Sequence, residues 1–126
     1  MKIVIQSKKA PAPIGPYSQA ILSNNTLYVS GQIALDPETG ILLNKSIEEE
    51  THQVLKNIEA ILQEANMNFS HVVKCSVFLI DFYEFAKMNA IYGQYFQDSP
   101  PARETVEVSR LPKNARIEIS CIAIKE

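Results

Sequence analysis

Two residue types near the end of the chain could act together on one small molecule: the guanidinium of Arg103 and the carboxylate of Glu118. An arginine presents a planar fork of N–H donors and can hold a carboxylate through two parallel hydrogen bonds. A glutamate can take a proton from water. Both lie in segments that read as β-strands joined by a Pro-containing turn. Side chains alternate faces along a strand. Ala102, Val106 and Val108 therefore form one set, with Glu104 the exception, while Arg103, Thr105, Glu107 and Ser109 point the other way. In the second segment Ile117, Ile119, Cys121 and Ala123 form an apolar face opposite Glu118 and Ser120, with Ile122 and Ile124 following them. Turning both apolar sets into one core is expected to bring Arg103 and Glu118 out together on the sheet's other side. A cross-strand surface ion pair, worth about 0.5 kcal/mol, meets the same pattern.

Other reactive side chains are sparse. Cys75 and Cys121 both fall inside apolar strand patterns and read as small buried hydrophobes. No Cys or His pair has the spacing of a metal site, so none is expected. His52 lies off the apolar stripe of its helix and reads as solvated, and His71 opens a strand. Tyr17 follows a stiff loop, Ala10 to Pro16, that carries three prolines and a glycine. Its ring can pack, or its hydroxyl can meet a ligand. Gly31 inside a strand pattern signals a bulge or the close approach of another group.

The elements that must position these residues follow from periodicity. Ile3 to Ile5 opens a sheet; Ala20–Ser23 and Thr26–Leu35 flank an Asn24-Asn25 hairpin turn. Along the latter strand, alternation groups Leu27, Val29 and Gly31 against Tyr28, Ser30 and Gln32. Ser46 with Glu49 three residues on predicts a capping box, and Ile47, Val54, Leu55, Ile58, Ile61, Leu62 and Ala65 form one helical stripe. Val72–Ile80 is a strand with Val73, Cys75, Val77 and Leu79 on one face. Asp81 and Glu84 predict a second capped helix with Phe85, Met88, Tyr92, Tyr95 and Phe96 inward. Asn89 falls on or beside that stripe, where a polar group needs a hydrogen-bond partner. The result is an α+β chain of six strands and two helices, expected as a single domain over residues 1–126. Two helices can cover only one face of the sheet. The other face still carries Phe78, Ile80, Ile122 and Ile124, which argues for self-association.

The composition excludes several classes. A net charge of −2 without a basic cluster gives no footprint for nucleic acid. No apolar run reaches membrane-spanning length, and no sorting signal is visible, so a cytoplasmic protein is expected.

Several segments in register resemble one family. Pro101-Ala102-Arg103, Val106-Glu107-Val108, Leu111-Pro112-Lys113 and Ile117-Glu118-Ile119 look like the C-terminal signature of the RidA/YjgF family. Gly15-Pro16-Tyr17-Ser18-Gln19-Ala20 and Ser30-Gly31-Gln32-Ile33 match in the same order, so the resemblance covers nearly the whole chain. It implies a chorismate-mutase-like fold and a homotrimer with a central β-barrel, outer helices and sites between subunits. The implied activity is hydrolytic deamination of reactive enamine and imine acids, the 2-aminoacrylate/2-iminopropanoate and 2-iminobutanoate type, to 2-oxo acids and ammonia without a cofactor. Arg103 would then anchor the substrate carboxylate and Glu118 activate water. Burial would raise the Glu118 pKa and a nearby guanidinium lower it. Tyr17, Ser30, Gly31, Asn89 and the backbone at Thr105 would make further contacts, with close approach by substrate, more than a bulge alone, explaining Gly31. Many relatives carry Cys where this chain has Thr105, so a thiolate nucleophile is excluded there. The alternatives are a non-catalytic regulatory module that binds a small carboxylate such as a 2-oxo acid and, more remotely, RNA cleavage. Glu118 separates the first of these from an enzyme, because a carboxylate receptor gains nothing from a second negative charge.

Overall fold

The computed structural model describes residues 1–126. Its elements run β1 (Lys2–Ile5), β2 (Ala20–Ser23), β3 (Thr26–Gln32), α1 (Ile47–Glu64), β4 (Val72–Leu79), α2 (Phe85–Tyr95), β5 (Ala102–Glu107) and β6 (Ile117–Ile124). The six strands form one mixed sheet in the order β1-β2-β3-β6-β4-β5, antiparallel throughout except for the parallel pair β4 and β5. This is the expected α+β architecture. Asn24 turns the β2–β3 hairpin with a φ of 56°, a conformation that Asn tolerates through its short polar side chain.

Helix α1 starts where predicted. Ser46 Oγ accepts the Glu49 N–H at 3.0 Å, but Glu49 Oε1 accepts from Lys45 N–H at 2.9 Å, so the capping box is half formed. Ile47, Val54, Leu55, Ile58, Ile61 and Leu62 are buried and pack against β3 and β6. A short 3₁₀ turn, Phe82–Glu84, leads into α2, with Asp81 Oδ1 accepting the Tyr83 N–H at 2.9 Å. Buried Met88, Tyr92 and Phe96 join α2 to the same core. The helix-covered face of the sheet carries Leu27, Val29, Cys75, Val77, Leu79, Ile117, Ile119, Cys121 and Ala123, all buried. On the other face Phe78 and Ile122 are half-buried, and Tyr28, Val106 and Ile124 are exposed.

Four expectations are corrected. First, β5 and β6 are not neighbours, because β4 lies between them. Residues opposite one another in adjacent strands share a face. Cys75 is opposite both Arg103 and Cys121, Val77 is opposite Thr105 and Ile119, and Phe78 is opposite Val106 and Glu118. Arg103 and Thr105 therefore lie on the helix-covered face and Glu118 on the open one. The two groups do not emerge together within one chain. Alternation on β5 misled because β5 is an edge strand: neither of its faces is fully buried, so its apolar residues do not mark the core. Second, Val29 pairs with Cys121 and Gln32 with Ile119, a bulge of one residue at Ser30-Gly31. It turns Gln32 onto the covered face, where it is buried, instead of leaving it beside Tyr28. Third, a register shift between Val72 and Lys74 buries Val72 and exposes Val73. Fourth, His52 is half-buried and partnered instead of freely solvated: its Nδ1 lies 2.8 Å from the Tyr95 hydroxyl.

Candidate functional site

The predicted site residues fall into two groups, one on each face of the sheet. The first surrounds Glu118. A cavity of about 350 Å³ is lined by Pro11, Ile14, Tyr17, Ser30, Gly31, Ile33, Leu35, Pro112 and Glu118, among others. The β3 bulge places Gly31 directly under the Glu118 side chain. A methyl group added at Gly31 would lie 2.5 Å from Glu118 Oε2 and 2.7 Å from its carboxyl carbon. Gly31 thus meets both readings of a strand glycine, and the group that approaches it within the chain is the acid itself. Glu118 is half-buried, and burial pushes its pKa above the ordinary value. No guanidinium offsets that rise within the chain, because Arg103 stands on the opposite face.

The walls of this cavity are held by polar contacts. Ser30 Oγ donates to the Ser18 carbonyl at 2.6 Å, and Ser30 N–H donates to the Gln19 carbonyl at 2.9 Å. Gln19 is buried; its Oε1 accepts the Ser7 N–H at 2.7 Å, and its Nε2 donates to the carbonyls of Ser7, Ala10 and Pro11 at 3.1, 3.3 and 2.8 Å. One side chain therefore pins the proline-rich loop that carries the half-exposed Tyr17, whose hydroxyl accepts the Ile14 N–H at 3.3 Å. On α1, Asn57 Nδ2 donates to the carbonyls of Ile33 and Leu35 at 3.2 and 3.0 Å, fixing the chain that leaves β3.

The second group surrounds Arg103 at the junction of β5 and α2. Its guanidinium carbon lies 4.7 Å from the centroid of the Tyr92 ring and 5.7 Å from that of Phe85. The ion pairs of the chain are Lys74–Glu104, Arg116–Glu50 and Arg116–Glu84, so Arg103 has no acidic partner. Asn89, half-buried, lies on α2 between Phe85 and Tyr92 in sequence, four residues after the first and three before the second. Thr105 Oγ1 is buried without a hydrogen-bond partner. The structure thus brings Arg103, Thr105 and Asn89 to one side, and Tyr17, Ser30, Gly31 and Glu118 to the other.

Supporting residues escaped the sequence reading. Glu50, fully buried, accepts the backbone N–H groups of Arg116 and Ile117 at 2.7 and 3.3 Å and Arg116 Nε at 3.1 Å. It anchors the start of β6, just before Glu118. Its signal was present: Glu50 follows Ile47 by three residues and precedes Val54 by four, so it lies in the buried stripe.

Fold and site together define an α+β protein in which a six-stranded mixed sheet, backed by two helices, carries a carboxyl cavity at a strand bulge and an unpaired arginine at its edge. The family described as Endoribonuclease L-PSP matches residues 7–125, and the chain belongs to this family, the one that carries the RidA and RutC names. It is 53% identical over 126 residues to a RutC family protein of Pyrococcus horikoshii, covering 100% of both chains. It is 48% identical over 122 residues to the human protein named 2-iminobutanoate/2-iminopropanoate deaminase, covering 97% of this chain and 89% of that one. A crystal structure of Escherichia coli TdcF with bound serine superposes with a TM-score of 0.95 at 34% identity, covering 98% of this chain and 99% of that chain.

Proposed function

We propose that this protein deaminates reactive 2-imino acids by hydrolysis, releasing a 2-oxo acid and ammonia, and that each working site joins the Arg103 side of one copy to the Glu118 side of a neighbouring copy. The observation that carries this reading is the pairing of opposite chemistries on opposite faces. An arginine without an acidic partner, held over two rings, is a ready carboxylate anchor. A half-buried carboxyl lining a cavity is a ready base. Neither group can reach the other through its own sheet. The uncovered face with exposed Tyr28, Val106 and Ile124 favours association, and the family resemblance implies a trimer. The human relative's name and the serine held by TdcF point the same way, toward small amino-acid-derived carboxylates.

The chemistry follows from these groups. The substrate's carboxylate pairs with Arg103, and the carbon of its C=N bond, which is protonated at nitrogen, faces Glu118. Water adds to that carbon, its proton passes to Glu118, and the C=N π pair moves onto nitrogen. The resulting carbinolamine takes that proton back from Glu118 at nitrogen. The C–N bond then breaks as Glu118 takes the hydroxyl proton, giving the 2-oxo acid and ammonia, and the ammonia carries that proton away as ammonium. A positioned base of this kind contributes about 10²- to 10⁴-fold in rate.

A nuclease would need a basic track along the phosphate backbone, and the net charge of −2 weighs against one. The test is to generate 2-aminoacrylate in situ from serine with a pyridoxal-phosphate dehydratase and to follow 2-oxo acid release. Faster release in the presence of this protein is expected; equal rates with and without it overturn the proposal.

A further inference from the structure

We infer that Tyr92, with Phe85 beside it, is the positioning residue that holds the Arg103 guanidinium open for a carboxylate; this rests on reading Arg103 as the carboxylate anchor. Arg103 stands on the edge strand β5, where no further strand braces it. A long, rotamer-rich side chain in that place would wander unless something fixed its head group. An acidic partner would fix it but would also occupy the fork that the substrate needs. Aromatic rings avoid the conflict. A guanidinium stacks on a ring through its flat face and keeps its N–H donors in the plane of its edge. Tyr92 and Phe85 are seven residues apart on α2, two turns along one helix face, and their ring centroids lie 4.7 and 5.7 Å from the Arg103 guanidinium carbon.

The rings are themselves braced. Tyr92 is only 6% exposed and packs on Phe96 with a centroid distance of 4.7 Å. Phe85 stacks on Phe82 at 4.7 Å with an interplanar angle of 16°. The guanidinium therefore rests on a floor that continues into the core. The Tyr92 hydroxyl takes no part in holding it. That hydroxyl is buried without a hydrogen-bond partner, its polar neighbour being the Cys75 thiol, a weak acceptor. Burial pushes the phenol pKa up, so no phenolate competes with substrate for Arg103. The ring face is the working part.

The experiment measures the Kd for 2-oxobutanoate, a stable carboxylate probe, by NMR titration. Tyr92→Leu weakens binding about tenfold, within the range of a partly desolvated cation–π contact. Phe85→Leu, at the longer distance, weakens it a few-fold, and Tyr92→Phe restores affinity to within about twofold of the parent. The same Tyr92→Leu change made in an Arg103→Ala background has no further effect, whereas a merely structural role would still cost affinity there. Phe85 is only half-buried, so Phe85→Leu carries the comparison if Tyr92→Leu does not fold. Unchanged affinity in Arg103→Ala overturns the anchor reading itself. A weakened Arg103→Ala beside an unaffected Tyr92→Leu and Phe85→Leu, or a Tyr92→Phe as weak as Tyr92→Leu, overturns the positioning role alone.

Discussion

Arg103 lies on the helix-covered face and Glu118 on the open one, so two inactive variants should repair each other. Arg103→Ala removes the proposed carboxylate anchor, and Glu118→Ala removes the proposed base. Each is expected to cost about 10²-fold or more in kcat/KM. The two purified variants are mixed in equal amounts, unfolded together and refolded. A site is intact when its arginine side comes from the Glu118→Ala chain and its acid side from the Arg103→Ala chain. With random assortment around a closed ring, about one quarter of the sites meet both conditions, whatever the number of subunits. The mixture should therefore regain about one quarter of the parent's activity per site, far above the residual activity of either variant alone. Folded variants mixed without unfolding should show no gain until their subunits exchange. A refolded mixture no more active than the sum of its parts would mean that both groups serve one chain's site or that neither is needed. Either outcome refutes the division of the site between copies.

Three further outcomes follow from the same geometry. Gly31→Ala places a methyl 2.5 Å from Glu118 Oε2; because the acid is the flexible partner, the fold should adjust while the carboxylate is displaced. Turnover should fall about 10²-fold with little change in Tm, and an unaffected rate would show that the acid's position does not matter. Thr105→Ala should be mild in turnover, since only the backbone at this position is implicated and Thr105 Oγ1 has no hydrogen-bond partner to lose; a collapse in rate would assign the hydroxyl a role. Burial raises the Glu118 pKa, so the proton is held more tightly in the folded state. The stability this contributes is present below the ordinary glutamate pKa of about 4.3 and is lost as pH rises through the raised value. Glu118→Gln should therefore raise Tm at neutral pH and not at a pH below that ordinary value. Thermal unfolding of parent and variant at both pH values checks this, and an equal gain at both contradicts it.

Much of the architecture was legible because buried elements obey simple periods. The stripe from Ile47 to Leu62 could face only one way, and Cys75, Val77 and Leu79 did the same for the central strand β4. Where burial is incomplete the rule loses its grip. β5 has one neighbour and no fully buried residue, so its alternation carried no information about which face looked inward. Arg103 was accordingly assigned to the wrong side. Bulges were the second blind spot. A single extra residue at Ser30-Gly31 or at Val73 inverts every face that follows, and only Gly31 left a trace of it in the sequence. Buried polar residues were the third. Glu50, Asn57 and Gln19 were given no structural role by residue type, yet each holds a backbone segment that borders the cavity or leads to Glu118. Residue types and spacing therefore singled out a guanidinium and a carboxylate as site candidates. Which face each occupied was decided by pairing partners distant in sequence. The consequence is that two residues only fifteen positions apart in sequence stand on opposite faces of the sheet, and the proposed site therefore needs a second copy of the chain.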